Sequence, residues 1–199
     1  LIDAYGADAL RFWCARAVSF GHDGSASLAG IAERYERELG NDLGNLLSRT
    51  TAMIERYREG RLPAGLETSP AIAAAIAAVH DQVPGDLDRF DLTGAIDRIW
   101  ALVRELNRYV TERAPWTIAK DPDRDGELDQ VLFDLADDLR ATSIALSSYL
   151  PETAPKILDA LAQDGDLGWD RVVPGLLDTS RPILAAAPLF PRIEAAAGA

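Results

Sequence analysis

The stretch LGNDLGNLLSRTTAMIERY, from Leu39 to Tyr57, lies at the centre of a long helical pattern. Apolar residues recur there, and on both sides of it, at steps of three and four, which is the pattern of a helix with one buried face. These residues are Leu28, Ile31, Tyr35, Leu39, Leu43, Leu46, Met53, Ile54 and Tyr57. The pattern predicts one helix from about Leu28 to Arg58, capped by Ser25 or Ser27 and ended near Gly60.

A polar seam runs beside the apolar face of this predicted helix. Asn41, Asn45 and Arg49 follow one another at steps of four, which places them on one side of an α-helix. An amide and a guanidinium one turn apart offer several fixed hydrogen-bond donors, so they can read the edge of a nucleobase. They also suit a solvated helix surface with one hydrogen bond to a neighbouring helix, and the pattern alone leaves both interpretations open.

The rest of the chain predicts more helices, separated by loops rich in glycine and proline. The first is an N-terminal helix whose buried side carries Ala9, Leu10, Trp13, Cys14 and Ala17. Three longer helices are predicted from Ser69 to a break at Pro84 and Gly85, from Phe90 to Glu112 and from Leu128 to Tyr149, followed by a short helix capped by Thr153. Beyond Gln163 a tail is expected to be held by Trp169, Ile183, Leu189, Phe190 and Ile193. The sequence therefore predicts an all-α bundle of about five main helices with a loop-rich C-terminal tail.

The sequence Ala114-Pro115-Trp116 interrupts the helical pattern. Proline disfavours helix for the residue before it, so the chain is expected to kink and to hold Trp116 on a fixed backbone. One interpretation of Trp116 is a core anchor between helices, because most tryptophans are largely buried. The other is a platform on which an unpaired base stacks. Just before the kink, Asn107 is expected to act as a cap or as an inter-helix hydrogen bonder.

Other polar residues receive structural interpretations. Asp134, Asp137 and Asp138 lie on one side of the predicted helix from Leu128 to Tyr149 and are expected to form a solvated acidic face, not a metal site. Arg11 is expected to have a structural role, for example in a pair with a carboxylate. His22 has no second ligand near it in sequence, so neither a catalytic nor a metal role is expected.

Composition limits the class of protein. The chain has 199 residues, 48% of them hydrophobic, and a single cysteine, which excludes a disulfide framework or a cysteine metal site and favours a reducing, cytoplasmic setting. No leader pattern and no apolar run of membrane-spanning length is visible, so no membrane association is expected. With 32 acidic and 20 basic residues the formal net charge is −12, which alone argues against an RNA partner. A small patch around Arg49 would reconcile RNA contact with that charge.

Several motifs in order resemble methionyl-tRNA synthetases. They are DAYGADALRFW, SFGHDGSAS, GNDLGNLLSR and NRYVTERAPWTIAK, followed by a closing LFPRI. The resemblance runs from residue 1 to about residue 162, and it implies the C-terminal anticodon-binding domain of a class I synthetase. Residues 1–24 would then be a lead-in helix and turn from an upstream catalytic domain, 25–162 the helix bundle and 163–199 a docked tail. One departure is Glu36, where family members often have asparagine.

The resemblance also implies a site and partners. Asn45, Arg49, Pro115 and Trp116 would bind the CAU anticodon of tRNA(Met), with the anticodon loop and the upstream catalytic domain of the same chain as partners. The chain carries no P-loop, nucleotide-binding glycine fingerprint or zinc spacing. The segment alone is therefore expected to be non-catalytic and without cofactor or metal, whereas the complete ligase uses ATP and Mg²⁺. Two alternatives stay open: a helical protein-interaction module without RNA function, and the equivalent domain of a sister class I synthetase.

Overall fold

The computed structural model describes residues 1–17, 21 and 27–193, and the predicted turn with His22 lies largely outside them. Its helices are α1 (Ile2–Tyr5), α2 (Ala7–Ala17), α3 (Leu28–Arg34), a π-helical segment (Tyr35–Gly44), α4 (Asn45–Arg58), α5 (Pro70–Asp88), α6 (Leu92–Arg113), α7 (Pro115–Ile118), α8 (Asp125–Leu146) and α9 (Thr153–Ala160), with 3₁₀ turns at Pro122–Arg124 and Trp169–Arg171. None of the described residues lies in a strand. The all-α prediction is confirmed. Within the described ranges, no helix is long and apolar enough to cross a membrane.

Helix α8 forms the centre of the bundle. All its residues from Val131 to Leu146 are buried, and it packs against α4, α5, α6 and α9. The N-terminal helix α2 joins the same core, because Phe12 packs against Trp100 of α6 with ring centres 4.7 Å apart. Large buried aromatic side chains supply much of the apolar area that stabilises such a core. The lead-in helix and the bundle therefore share one hydrophobic interior.

The long helix predicted from Leu28 to Arg58 is continuous but is not α-helical throughout. Its middle, Tyr35–Gly44, is a π-helix, and the N–H of Asn45 still bonds five residues back to the carbonyl of Gly40. A Cβ at position 44 would lie 3.1 Å from the carbonyl oxygen of Leu39 and 3.3 Å from the ring of Phe190, so glycine fits this close packing without displacing a neighbour. At the N-terminal end of the long helix, the predicted serine cap is confirmed, because Ser27 accepts from the N–H of Gly30 at 3.0 Å.

The buried face of α2 differs from the prediction. Phe12 and Trp13 are buried, whereas Cys14 is exposed and carries a free thiol. The reason is that α2 packs against α6 through the side that carries Phe12. Arg11 has the structural role expected of it, but its partner is the carbonyl oxygen of Ser148, at 2.8 Å, and not a carboxylate.

An aspartate of α2 caps α9. The Oδ2 atom of the buried Asp8 accepts from the N–H groups of Glu152, at 3.1 Å, and Thr153, at 2.7 Å. A carboxylate satisfies free N–H groups at the positive end of a helix, so this cap also joins an early helix of the chain to a late one. The prediction that Thr153 supplies the cap is wrong, since its own side chain makes no capping bond.

Helix α5 does not break at Pro84 but continues to Asp88. Proline lacks an N–H, so the carbonyl of His80, four residues earlier, loses its helical donor. The indole N–H of Trp169 in the tail donates to that carbonyl at 3.3 Å, and the Trp169 ring stacks on His80 with centres 6.1 Å apart. The predicted break is wrong because a distant part of the chain replaces the missing hydrogen bond.

The aspartates of α8 are also predicted wrongly. Asp134, Asp137 and Asp138, here called the aspartate cluster, are completely buried and do not form a solvated face. Asp134 accepts from the N–H of Ser69 at 2.8 Å, from its hydroxyl at 2.5 Å, from Tyr109 at 2.8 Å and from Gln130 at 3.0 Å. Buried carboxylates are tolerated when their oxygens are satisfied in this way.

Asp137 and Arg140 connect α8 to the tail. Arg140, also fully buried, donates its Nε to Asp137 at 2.9 Å and its terminal nitrogens to the carbonyls of Arg171 and Val173. The other oxygen of Asp137 accepts from the N–H of Gly175 at 2.6 Å. The tail thus covers Asp137 and supplies one of its donors, whereas the donors of Asp134 come from α6, from α8 itself and from the segment before α5.

Candidate nucleic-acid interface

Asn45 and Arg49 lie one turn apart at the start of α4. Asn45 is exposed and Arg49 is half-buried. Neither side chain makes a hydrogen bond or an ion pair with another of the described residues. Asn41, four residues before Asn45, lies in the π segment and lines a cavity of about 220 Å³ together with Phe190 and Pro191 of the tail.

The kink predicted at Pro115 is present. Ala114 ends α6 with a left-handed backbone, φ 44°, and Pro115 occupies the first turn of α7. Pro115 and Ile118 are buried, whereas Trp116 keeps 39% of its surface exposed. Proline at the first helical position is favourable because its missing N–H would have no helical partner there. The corner is thus anchored by Pro115 and Ile118, and the indole is presented to solvent.

Arg49 and Trp116 meet across the gap between α4 and α7. The guanidinium carbon of Arg49 lies 5.6 Å from the centre of the Trp116 ring, within cation–π distance. A guanidinium above a ring keeps its N–H groups pointing outward in its own plane, so it can still donate hydrogen bonds. We call Asn45, Arg49, Pro115 and Trp116 the α4–α7 surface. It combines an amide, a guanidinium and an accessible aromatic ring.

Asn107 fixes the spacing between the two halves of this surface. Its amide nitrogen donates to the carbonyl of Asp42 at 2.9 Å and to that of Val103 at 2.9 Å. Asp42 lies in the last turn of the π segment, just before α4. The interpretation of Asn107 as an inter-helix hydrogen bonder is confirmed. It ties the turn before Asn45 to α6, the helix that ends at the Pro115 corner.

The sequence interpretation missed a second support of the corner, Tyr109. The Tyr109 hydroxyl donates to Asp134 at 2.8 Å, and the guanidinium of Arg113 lies 5.9 Å from the ring centre. Burial, with the adjacent Asp134 carboxylate, raises the pKa of Tyr109 well above its usual value, so the phenol stays protonated and donates. This contact holds the C-terminal part of α6 on α8. The signal in the sequence was an aspartate between the apolar residues Phe133 and Leu135 in one helix, with a tyrosine in another helix.

The described residues contain no group of three or more histidine, cysteine, aspartate or glutamate side chains placed to hold a metal ion. One cavity among them, of about 560 Å³, lies between α9 and the tail, and another, of about 220 Å³, lies between α5 and α6. Neither of these two cavities includes a residue of the α4–α7 surface. The chemistry that the surface offers is stacking and hydrogen bonding at an open face.

Comparison with known proteins gives consistent similarities. A family model described as class I tRNA synthetases (M) matches residues 1–51. The methionine–tRNA ligase of Caldanaerobacter subterraneus subsp. tengcongensis is 37% identical over 98% of this chain and 31% of its own length. That of Deinococcus radiodurans is 38% identical over 98% of this chain and 29% of its own length. The chain therefore spans less than a third of the length of these curated relatives.

Solved structures agree with these relatives. The free form of Mycobacterium tuberculosis methionyl-tRNA synthetase superposes with a TM-score of 0.87 and 29% identity over 98% of this chain and 40% of that one. The form of that enzyme bound by methionyl-adenylate superposes with a TM-score of 0.86 and 29% identity, over 96% and 39% of the two chains. The similarity thus extends over almost all of the helices described above.

Proposed function

From the homology of this chain to methionine–tRNA ligases, which are class I tRNA synthetases, we propose that it is the part of such a ligase that binds the CAU anticodon of tRNA(Met). Activation of methionine with ATP and Mg²⁺, and its transfer to tRNA, would take place in a catalytic domain upstream of this chain. The chain alone would then be non-catalytic, and the ligase would work in the cytoplasm. In this proposal its partners are the anticodon loop and that catalytic domain.

The observation that carries the proposal is the meeting of Arg49 and Trp116 at an exposed face. Their separation of 5.6 Å brings a cation and an aromatic ring from two helices together, with Asn45 one turn away. Single-stranded RNA bases are bound by stacking on aromatic rings or guanidinium planes, and they are identified by hydrogen bonds to their edges. In this proposal Trp116 stacks on a base, and Asn45 and Arg49 read polar edges. The buried Pro115 fixes the indole.

The net charge of −12 is compatible with such a site. Much of the acidic excess is engaged inside the protein: the aspartate cluster is buried, as are Asp8, Glu38 and Asp86. Asp86, for example, pairs with Arg89 and Arg98. A carboxylate that is buried or paired contributes little to the potential at a distant surface, so the overall charge overstates the repulsion that RNA would meet at the α4–α7 surface.

Binding of short RNA hairpins tests the proposal. We expect the chain to bind an anticodon stem-loop with CAU more tightly than stem-loops in which one anticodon base is changed. Asn45→Ala should reduce that preference, because an edge reader discriminates between bases by about 1–3 kcal/mol. The exposed Asp88, remote in sequence from all four site residues, provides the control Asp88→Ala. Equal binding of all stem-loops by the unaltered chain would contradict the proposed function.

A further inference from the structure

The exposed side of α4 continues past Arg49 to a second arginine, Arg56. Positions 45, 49, 52 and 56 fall within a sector of about 60° when each residue of an α-helix turns by about 100°. Asn45, Ala52 and Arg56 are exposed, and Arg49 is half-buried. Arg56 lies about 10 Å along the helix axis from Arg49. We call these four positions the α4 strip. It begins at the α4–α7 surface and extends away from it.

Arg56 makes no hydrogen bond or ion pair with any other residue of the described ranges. Most arginines of this acidic chain differ from it in this respect: Arg108 pairs with Glu105 and Glu112, for example. The Arg56 guanidinium lies 5.5 Å from the centre of the Tyr57 ring. Such a contact restricts the long side chain and leaves its N–H groups free to donate.

The nearest carboxylate in sequence, Glu55, is directed elsewhere. It accepts from the N–H of Ala185 in the tail at 3.2 Å, so it faces the tail and not the strip. The strip itself holds an amide, a methyl group and two guanidinium groups, and no acid. On a protein of charge −12, a cationic strip without acids favours the approach of a polyanion from this side.

We propose that Arg56 contacts the phosphodiester backbone of the RNA whose bases meet Asn45, Arg49 and Trp116. The inference rests on the proposed function, because it assigns to the same RNA a contact farther along α4. A guanidinium matches a phosphate with two parallel hydrogen bonds. Phosphate contacts set register and affinity, and they carry no base preference. Arg56 therefore positions the RNA, and the α4–α7 surface reads it.

Salt dependence of RNA binding tests this contact. The affinity of the chain for the CAU stem-loop is measured at several salt concentrations for the unaltered protein, Arg56→Gln and Arg56→Lys. The control is Lys156→Gln, which removes the same charge from an exposed residue of α9 that lies outside the strip. For Arg56→Gln we expect the slope of log affinity against log salt to flatten by about 0.7–0.9, the value for one lost phosphate contact. Arg56→Lys should retain most of the slope.

The base preference separates this contact from base reading. Arg56→Gln should weaken binding of CAU and altered stem-loops by the same factor, and its melting temperature should stay within about 2 °C of the unaltered protein. Equal slopes for Arg56→Gln and Lys156→Gln, in a protein that prefers CAU, would overturn the Arg56 contact alone. A loss of CAU preference in Arg56→Gln would also overturn the Arg56 contact. No CAU preference in the unaltered protein would overturn the proposed function and this inference with it.

Discussion

Two helices of this protein each carry a row of polar residues, and one row is exposed to solvent whereas the other is buried. The seam of α4 carries Asn45 and Arg49, which reach solvent and have no hydrogen-bond or ion-pair partner within the described ranges. The seam of α8 carries the aspartate cluster, which is completely buried. Both follow helical spacing in the sequence, yet one is a surface and the other an interior network. The difference arises because the tail and the segment before α5 cover α8, whereas this side of α4 stays uncovered.

The contrast shows that spacing assigns polar residues to a helix face but does not tell whether the face is covered. A covered carboxylate must find donors, as Asp134 does with Ser69, Tyr109 and Gln130. An uncovered guanidinium can remain available for a partner outside the chain, as Arg49 does. Substitutions in the first network should therefore change stability, and substitutions at the surface should change binding.

The largest effect is expected from Asp134→Ala. This change removes the acceptor of the partly buried donors of Ser69 and Tyr109, and it leaves the Gln130 amide with the carbonyl of Glu67 alone. A buried donor without an acceptor costs about 1–3 kcal/mol. We expect a loss of roughly 3–5 kcal/mol in the free energy of unfolding, measured by urea denaturation. Asp88→Ala, on the exposed part of α5, is the matched control and should change stability by less than about 0.5 kcal/mol. Similar losses for the two variants would contradict the interpretation of Asp134 as the centre of a buried network.

Asp138 should make stability depend on pH. Burial raises the pKa of its carboxyl from 3.8 to about 8, with one oxygen accepting from the hydroxyl of Thr142 at 2.8 Å. Since the folded protein holds this proton more tightly than the unfolded chain, the group stabilises the fold below about pH 4. That contribution is lost as the pH rises towards 8. The asparagine of Asp138→Asn cannot ionise, so this variant should not lose that stability as the pH rises.

Denaturation of both proteins between pH 5 and pH 9 checks this expectation. Relative to the unaltered protein, Asp138→Asn should gain stability steadily up to about pH 8 and no further above it. A stability difference that is the same at every pH would show that Asp138 is ionised in the folded state over this range.

Trp116→Ala is expected to have a smaller effect, which is on RNA binding and not on stability. Loss of a stacking ring should cost roughly 1–3 kcal/mol of RNA binding, which is about tenfold to a hundredfold in the affinity for the CAU stem-loop. Because Trp116 is 39% exposed, the folded state should survive the change. Measurements of melting temperature and RNA affinity on the same sample separate the two effects. A variant that melts early yet binds RNA normally once folded would show that Trp116 is a core anchor.

The smallest effect is expected from Trp169→Phe. Phenylalanine can still stack on His80 but cannot donate to the His80 carbonyl that Pro84 leaves without a helical partner. One such hydrogen bond contributes about 1 kcal/mol, which denaturation can resolve. The variant Pro84→Ala restores the helical N–H, so in that background Trp169→Phe should lower the free energy of unfolding by less. Equal costs with and without Pro84 would contradict the proposed compensation.

The helices and their approximate limits could be predicted because apolar periodicity records the buried face directly. The π segment could not, since steps of three and four between apolar residues do not reveal whether an N–H bonds four or five residues back. The continuation of α5 through Pro84 depends on Trp169, which is far away in sequence. The burial of Asp137 depends on the tail and that of Asp134 on the segment before α5, and neither segment has a periodicity of its own.

Residue spacing alone predicts the members of the candidate site one by one, and only the family resemblance grouped them into one site. The Ala114-Pro115-Trp116 sequence indicates a fixed corner, and the structure shows one with an exposed indole. The spacing of Asn45 and Arg49 indicates a shared helix side. That Arg49 lies against Trp116 could not be predicted from spacing, because it depends on how α4 and α7 pack on α8. Their role in RNA binding stays a prediction.

The tail also determines how much of α4 any large molecule can reach. It runs alongside this helix, with Ile183 donating its N–H to the carbonyl of Gly60 and Ala186 donating to the hydroxyl of Thr51. One side of α4 faces the core, a second is occupied by the tail, and the strip at positions 45, 49, 52 and 56 is what remains. A segment without regular structure thus leaves only one side of α4 open to a large molecule. Substitutions in the tail would therefore alter access to α4 without changing any residue proposed to bind RNA.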